Sequence, residues 1–217
     1  MESGQSHPPK APKPSLKVLI AGAFGVGKTS LVTAVSEVRP LTSEAPLTVV
    51  SEGVDALSIG SQKTTTTVAF DWGRMTIPAD GETHGPVQLY LFGTPGQRRF
   101  GFFWDELSYG AVGAVVLVDT RKLNEDCYAA LDFFDLKKLP FVVAINLFPE
   151  APQYHSDQLR DILALRPTTP LVSCDARDRN SSLRTLIALF RLVCGEPEPA
   201  EATRSHQLDH PHRPPTS

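Results

Sequence analysis

No stretch of the sequence reaches the roughly 18 consecutive apolar residues that a membrane-spanning helix requires. Residues 1–15 carry no apolar run of the kind that marks a secretory leader, so no export signal is read there. Charge of one sign is also missing. With 21 Lys and Arg against 24 Asp and Glu, the formal net charge is -3, which leaves no basic footprint for nucleic acid. Cysteine is scarce. Cys127, Cys174 and Cys194 are isolated and odd in number, which excludes a disulfide framework and any zinc-type spacing. All three read as buried thiols of a reducing compartment, and the expected location is the cytoplasm, with recruitment to the membrane only through partners. What remains is ordinary. The 217 residues, 41% apolar and 21% charged, suit one α/β domain with tails and are short for two domains.

The tails stand out by composition. Residues 1–15 hold Pro8, Pro9, Pro12 and Pro14 and almost nothing apolar. Residues 196–217 are rich in proline and charge, with Leu208 as their one large aliphatic side chain. Neither can bury enough surface to offset the entropy of ordering, so both are expected to be disordered. His206, Asp209, His210 and His212 read as a solvated tail rather than a metal site. Between the tails, over residues 16–195, strand and helix patterns alternate. Strands are expected at 16–21, 67–77, 87–92, 111–118, 141–147 and 170–174. Helices are expected at 28–38, 123–138, 156–165 and 181–194. Residues 80–86 carry turn residues, so 67–77 and 87–92 pair as a hairpin. Residues 39–63 form a long, weakly patterned connection. This alternation predicts an α/β fold, a doubly wound, mostly parallel sheet with helices on both faces.

Gly22-Ala23-Phe24-Gly25-Val26-Gly27-Lys28-Thr29 matches GxxxxGK[ST] at each fixed position, between an apolar strand and an amphipathic helix. Glycines let successive backbone N–H groups turn toward phosphate oxygens, and the helix N-terminus adds a favourable dipole. Lys28 reaches the β- and γ-phosphates, and the Thr29 hydroxyl is suited to Mg²⁺. Gly22, Phe24, Gly25, Val26, Gly27, Lys28, Thr29 and Ser30 are therefore the candidate phosphate contacts. Phe24 places a large ring where such loops face the γ-phosphate, and its bulk obstructs an arginine offered by a partner.

Leu91-Phe92-Gly93-Thr94-Pro95-Gly96-Gln97-Arg98-Arg99-Phe100 follows an apolar strand and resembles the DTAGQERF segment of Rab and Arf-like small GTPases. The resemblance implies that the Gly96 N–H meets the γ-phosphate and that Gln97 orients the attacking water. Gly93 stands where that family has an aspartate that holds Mg²⁺ through water. Thr64-Thr65-Thr66-Thr67-Val68-Ala69-Phe70-Asp71-Trp72 resembles the Rab TIGVDF pattern, which makes Thr67, or alternatively Thr66, a ligand of the metal. Asp71 is a candidate replacement for the missing carboxylate, though alternation along a strand leaves its direction open. The aromatics Phe100, Phe102, Phe103 and Trp104 are expected to divide between core and surface, the exposed part marking a partner contact.

Ala144-Ile145-Asn146-Leu147-Phe148-Pro149 stands in the place of the NKxD base motif. Asn146 matches, Leu147 replaces the lysine and Pro149 the aspartate, with Glu150 a possible substitute. Val172-Ser173-Cys174-Asp175-Ala176-Arg177 resembles the ETSAK element, so Asp175 and Ala176 are expected at the base, the Ala176 N–H toward the guanine oxygen. GAFGVGKT, KTTTTVAFDWGRM and LFGTPGQRRF together resemble the small GTPase-like ATP/GTP-binding proteins of bacterial conservon operons. That resemblance implies that glycine at 93 is normal for the group. It also implies a histidine-kinase-like sensor and a roadblock-type regulatory protein as partners. The expectation is a weak GTPase acting as a switch on GTP and GDP with Mg²⁺, ATP being possible. The rivals are a pseudo-GTPase scaffold without turnover and, last, an ATPase or kinase.

Overall fold

The computed structural model describes residues 14–39, 41–49, 64–79, 85–97 and 100–196, the stretches 41–49 and 64–69 by backbone only. In chain order the elements are β1 (Ser15–Ala21), α1 (Lys28–Val35), β2 (Leu41–Val49), β3 (Thr64–Ile77), β4 (Val87–Gly93) and α2 (Gly101–Ser108). There follow β5 (Gly113–Val118), α3 (Glu125–Lys137), β6 (Phe141–Asn146), α4 (Ser156–Ile162), β7 (Leu171–Cys174) and α5 (Arg179–Cys194). The strands form one seven-stranded sheet in the order β2-β3-β4-β1-β5-β6-β7. β3 runs antiparallel to both β2 and β4, and every other neighbouring pair is parallel.

The central strands are the continuous apolar runs. Every residue of β5 and β6 is buried, as expected of strands covered on both faces. One face packs against α1 and α5 through Leu31, Val32, Val35, Leu186 and Leu189. The other packs against α2, α3 and α4 through Phe103, Trp104, Leu131, Phe134 and Leu159. Phe134 is wholly buried, and truncating such a ring to alanine costs about 3–5 kcal/mol. Helix starts follow local chemistry. Asn124 caps α3 by accepting from the Cys127 N–H, and Asp178 caps α5 by accepting from the Ser181 N–H, each worth about 1 kcal/mol. Arg179, the first residue of α5, donates to the Ala34 and Val35 carbonyls at the end of α1, tying the two helices together.

The expected hairpin is present as β3 and β4, and the sheet is doubly wound as the alternation implied. Some expectations fail. The 39–63 stretch is not wholly a connection, because β2 lies within it at the edge of the sheet. Glu44 and Pro46 interrupt its apolar pattern, and proline in a strand is tolerated on an edge. α1 is shorter than read, ending where Ser36 turns extended and its hydroxyl bonds the Val38 carbonyl. α4 is also shorter, and Ala164 beyond it takes a left-handed φ of 49°. Cys127 and Cys174 are buried as expected, but Cys194 is exposed, lying on the last turn of α5 toward solvent. The tail histidines and Asp209 lie outside the described residues. Among the described residues, no helix is long and apolar enough to cross a membrane.

Candidate functional site

β1 delivers the chain at Ala21 into a turn that only glycine can follow. Gly22, Gly25 and Gly27 have φ of 128°, 77° and 106°. Space forbids side chains as well. A methyl carbon on Gly22 would stand 2.3 Å from the Leu117 carbonyl oxygen, and one on Gly27 would stand 2.5 Å from Asn146 Nδ2. α1 starts immediately at Lys28, and no side chain among the described residues caps it, which leaves its first N–H groups suited to an anion. Lys28 is buried, and its Nζ donates to the carbonyls of Gly22 at 2.9 Å and Ala23 at 2.8 Å. Desolvation pushes its pKa down to about 8, opposed by the charges of Asp71 and Asp126. A buried cation bonded to two carbonyl oxygens is suited to hold an anion. Phe24 lies at the crest of this turn and is 76% exposed, its ring standing out into solvent.

The carboxylate that β4 lacks comes from β3. Asp71 is the cross-strand partner of Gly93, and its Oδ2 accepts from Thr29 Oγ1 at 2.5 Å. A methyl carbon on Gly93 would meet Asp71 Cβ at 3.2 Å and Oδ2 at 3.4 Å. Glycine at 93 therefore leaves room for the acid on the adjacent strand. A hydroxyl and a carboxylate are hard oxygen donors, the set that suits Mg²⁺ beside phosphates. Thr67 is placed by its backbone in β3, opposite Pro46, and its side chain lies outside the described residues. It precedes Asp71 by four extended residues, which is roughly 13 Å along the strand.

After β4 the chain is pinned over the phosphate turn. The Thr94 N–H donates to the Ile20 carbonyl at 2.9 Å, and Trp104 Nε1 of α2 donates to the Pro95 carbonyl at 3.0 Å. Gly96 then lies so close that a methyl carbon on it would stand 2.6 Å from Lys28 Nζ and 2.7 Å from the Phe24 nitrogen. Gln97 follows. Its Oε1 is buried and has no hydrogen-bond partner among the described residues. The aromatics divide as expected: Phe103 and Trp104 are buried, Phe100 is half-buried and Phe102 is 48% exposed. The anchoring indole of Trp104 carried no sequence signal beyond its apolar spacing.

The base side differs from the expectation in detail. Asn146, at the end of β6, is buried, and both ends of its amide are used inside the protein. Nδ2 donates to the Val26 carbonyl at 2.8 Å, and Oδ1 accepts from the Ala176 N–H at 3.0 Å. The residue expected to meet the base thus staples the phosphate turn to the β7–α5 turn, and it takes the Ala176 N–H that guanine was expected to meet. The Asp175 carboxylate accepts from Arg177 Nε at 2.9 Å and Nη2 at 3.0 Å, and this pairing holds its pKa below the ordinary range. Leu147 is 42% exposed, and Glu150 adopts a φ of 61°. Arg121, gripped by Asp119, lies over the Phe148 ring at 3.7 Å. Ser30 and Thr29 open onto a groove that Arg177 closes from the other side.

Residues 20–195, from β1 to the residue after α5, match the model of a family described as conserved hypothetical ATP binding protein. An uncharacterized protein of Methanocaldococcus jannaschii is 27% identical over 135 residues, 62% of this chain and 71% of that protein.

Proposed function

This chain belongs to that family of ATP-binding proteins, and on that premise we propose that it is a nucleotide-dependent molecular switch with slow hydrolysis of its triphosphate. The observation that carries this reading is the meeting of Lys28, Thr29, Asp71 and Gly96 at the mouth of one glycine turn. Lys28 and the first N–H groups of α1 hold the β- and γ-phosphates. Thr29 and Asp71 hold Mg²⁺, which screens phosphate charge when bound. The γ-phosphate displaces Gly96 from its contact with Lys28 and engages its N–H, so the segment through Gln97 changes with the state of the nucleotide. Gln97 orients the water through its unpaired oxygen. Hydrolysis is slow because Phe24, exposed at the crest of the turn, bars an arginine from a partner. The small-GTPase resemblance puts GTP first as the nucleotide, and the family description brings in ATP. A roadblock-type regulator and a histidine-kinase-like sensor are the partners proposed from the conservon resemblance.

One observation favours the rival reading, a scaffold that holds nucleotide without turnover. Gly96 is already seated against the phosphate turn, in the space a γ-phosphate would need. Single-turnover phosphate release separates the two. A switch releases phosphate from bound triphosphate, more slowly in Gln97→Leu than in wild type. Triphosphate that stays intact for hours, alone and with a roadblock-type protein, sinks the switch.

A further inference from the structure

We propose that Trp104 is a positioning residue that sets the preference of the site between diphosphate and triphosphate, by holding Gly96 in the place of the γ-phosphate; this rests on the phosphate-loop reading above. The observation behind it is a buried hydrogen bond next to that glycine. Trp104 Nε1 donates to the Pro95 carbonyl at 3.0 Å, and the indole is 3% exposed. Gly96 follows directly. A methyl carbon on it would stand 2.6 Å from Lys28 Nζ, 2.7 Å from the Phe24 nitrogen and 2.8 Å from the Phe24 Cα. A γ-phosphate on Lys28 needs that volume, so Gly96 must leave when a triphosphate enters.

The torsions decide how it leaves. Thr94 is buried, and its N–H donates to the Ile20 carbonyl at 2.9 Å, which fixes the segment from behind. A residue before proline is biased to extended backbone. The ring of Pro95 locks its own φ. The first soft torsion ahead of Gly96 is therefore the ψ of Pro95. Rotation about that bond carries Gly96, and it swings the Pro95 carbonyl as well, because the peptide between them is planar. That carbonyl is the group the indole holds. Gly96 cannot swing clear on this hinge without stretching the bond past about 3.5 Å, where a hydrogen bond no longer survives.

The indole does not follow freely. Trp104 stands edge-on to Phe133 of α3, with ring centroids 5.4 Å apart. Its neighbours on α2, Phe103 and Leu107, are buried, and the Phe103 ring packs against Phe70 of β3 at 5.9 Å. A ring fixed in a close-packed core does not track a moving loop without cost. Entry of a γ-phosphate thus breaks the bond and leaves a buried N–H without its acceptor, a cost that a diphosphate does not meet.

The test titrates the full-length protein, with Mg²⁺, against GDP and the β,γ-imido analogue of GTP, and against the corresponding adenine pair. Trp104→Phe keeps a ring against Phe133 and removes the donor. It should bind the triphosphate analogue about fivefold tighter than wild type, the factor carried by one neutral hydrogen bond, and bind the diphosphate within about twofold of wild type. Replacing the Trp104 indole by benzothiophene, which keeps the shape and lacks the N–H, should give the same shift; it carries the test if melting shows that Trp104→Phe does not fold. A structural role alone would lower both affinities together. Trp104 is one of two tryptophans, so in a Trp72→Phe background its emission reports the bond. The triphosphate analogue should shift that emission, and the diphosphate should leave it as in the empty protein. An unchanged ratio of the two affinities, weaker triphosphate binding in either variant, or an emission response common to both nucleotides overturns the proposal. If wild type binds none of these nucleotides and Lys28→Ala is no different, the phosphate-loop reading falls, and this proposal with it.

Discussion

Raising the pH from 7.5 to 9 should loosen triphosphate binding through Lys28. In the empty protein its ammonium is buried and its pKa is lowered to about 8 by desolvation. A bound triphosphate compensates the burial and keeps the lysine charged, so binding above pH 8 must first add a proton. The charged fraction falls about eightfold between pH 7.5 and 9 for a pKa near 8, and affinity should fall by the same factor. Stability of the empty protein moves the other way. The lysine titrates near 10.5 when unfolded and near 8 when folded, so between these values the unfolded chain holds more protons. Stability therefore rises across that window, by up to about 3 kcal/mol. The assay is a titration with fluorescent nucleotide at half-unit pH steps, on wild type and Lys28→Arg. The guanidinium stays charged throughout. The arginine variant should bind more weakly at neutral pH and show no decline toward pH 9. The same decline in both proteins would place the titrating group elsewhere and refute the reasoning.

Asp71→Asn should cut the Mg²⁺ dependence of nucleotide retention by roughly 10–100-fold, the usual cost of losing a group that orders a metal site. Dissociation rates measured with Mg²⁺ and with EDTA check this, and a ratio equal to wild type would remove Asp71 from the metal. Gln97→Leu should slow phosphate release while leaving nucleotide affinity nearly intact, because placing the water affects the chemical step alone. Equal rates in single-turnover assays count against Gln97. Gly27→Ala should destabilise the fold by about 3 kcal/mol or more, since it adds left-handed strain to a methyl carbon 2.5 Å from Asn146 Nδ2. Thermal melting of the empty protein is the readout, and a melting temperature within a degree of wild type would contradict the geometry.

The parts legible from sequence are those fixed by short-range rules. β5 and β6 are near-continuous apolar runs and β1 ends in one, and the phosphate turn is a spacing of glycines whose backbone angles admit little else. β2 was hidden because an edge strand with Glu44 and Pro46 looks like a loop. The direction of Asp71 had a readable clue. Asp71, Gly73 and Met75 alternate on one face, and Gly73 and Met75 point at α1: Met75 is buried there, and a methyl carbon on Gly73 would stand 2.6 Å from a Val32 methyl. The acid shares that face, which is how it reaches Thr29. The contacts of Asn146 were not readable in this way. They depend on how the turn after β7 meets the phosphate turn, contacts between segments far apart in the chain.

The pairing of Asp71 with Gly93 has a consequence for how such sites are found. In an antiparallel ladder, directly opposed residues have Cα atoms about 5 Å apart, so a side chain can be handed to the neighbouring rung and still arrive at almost the same point in space. The address of the acid is then a rung and not a position in a linear string. A search that scans only the segment after β4 for an acidic residue reads glycine and scores the centre as defective. A search that walks sideways through the hydrogen-bonded partners reads aspartate there.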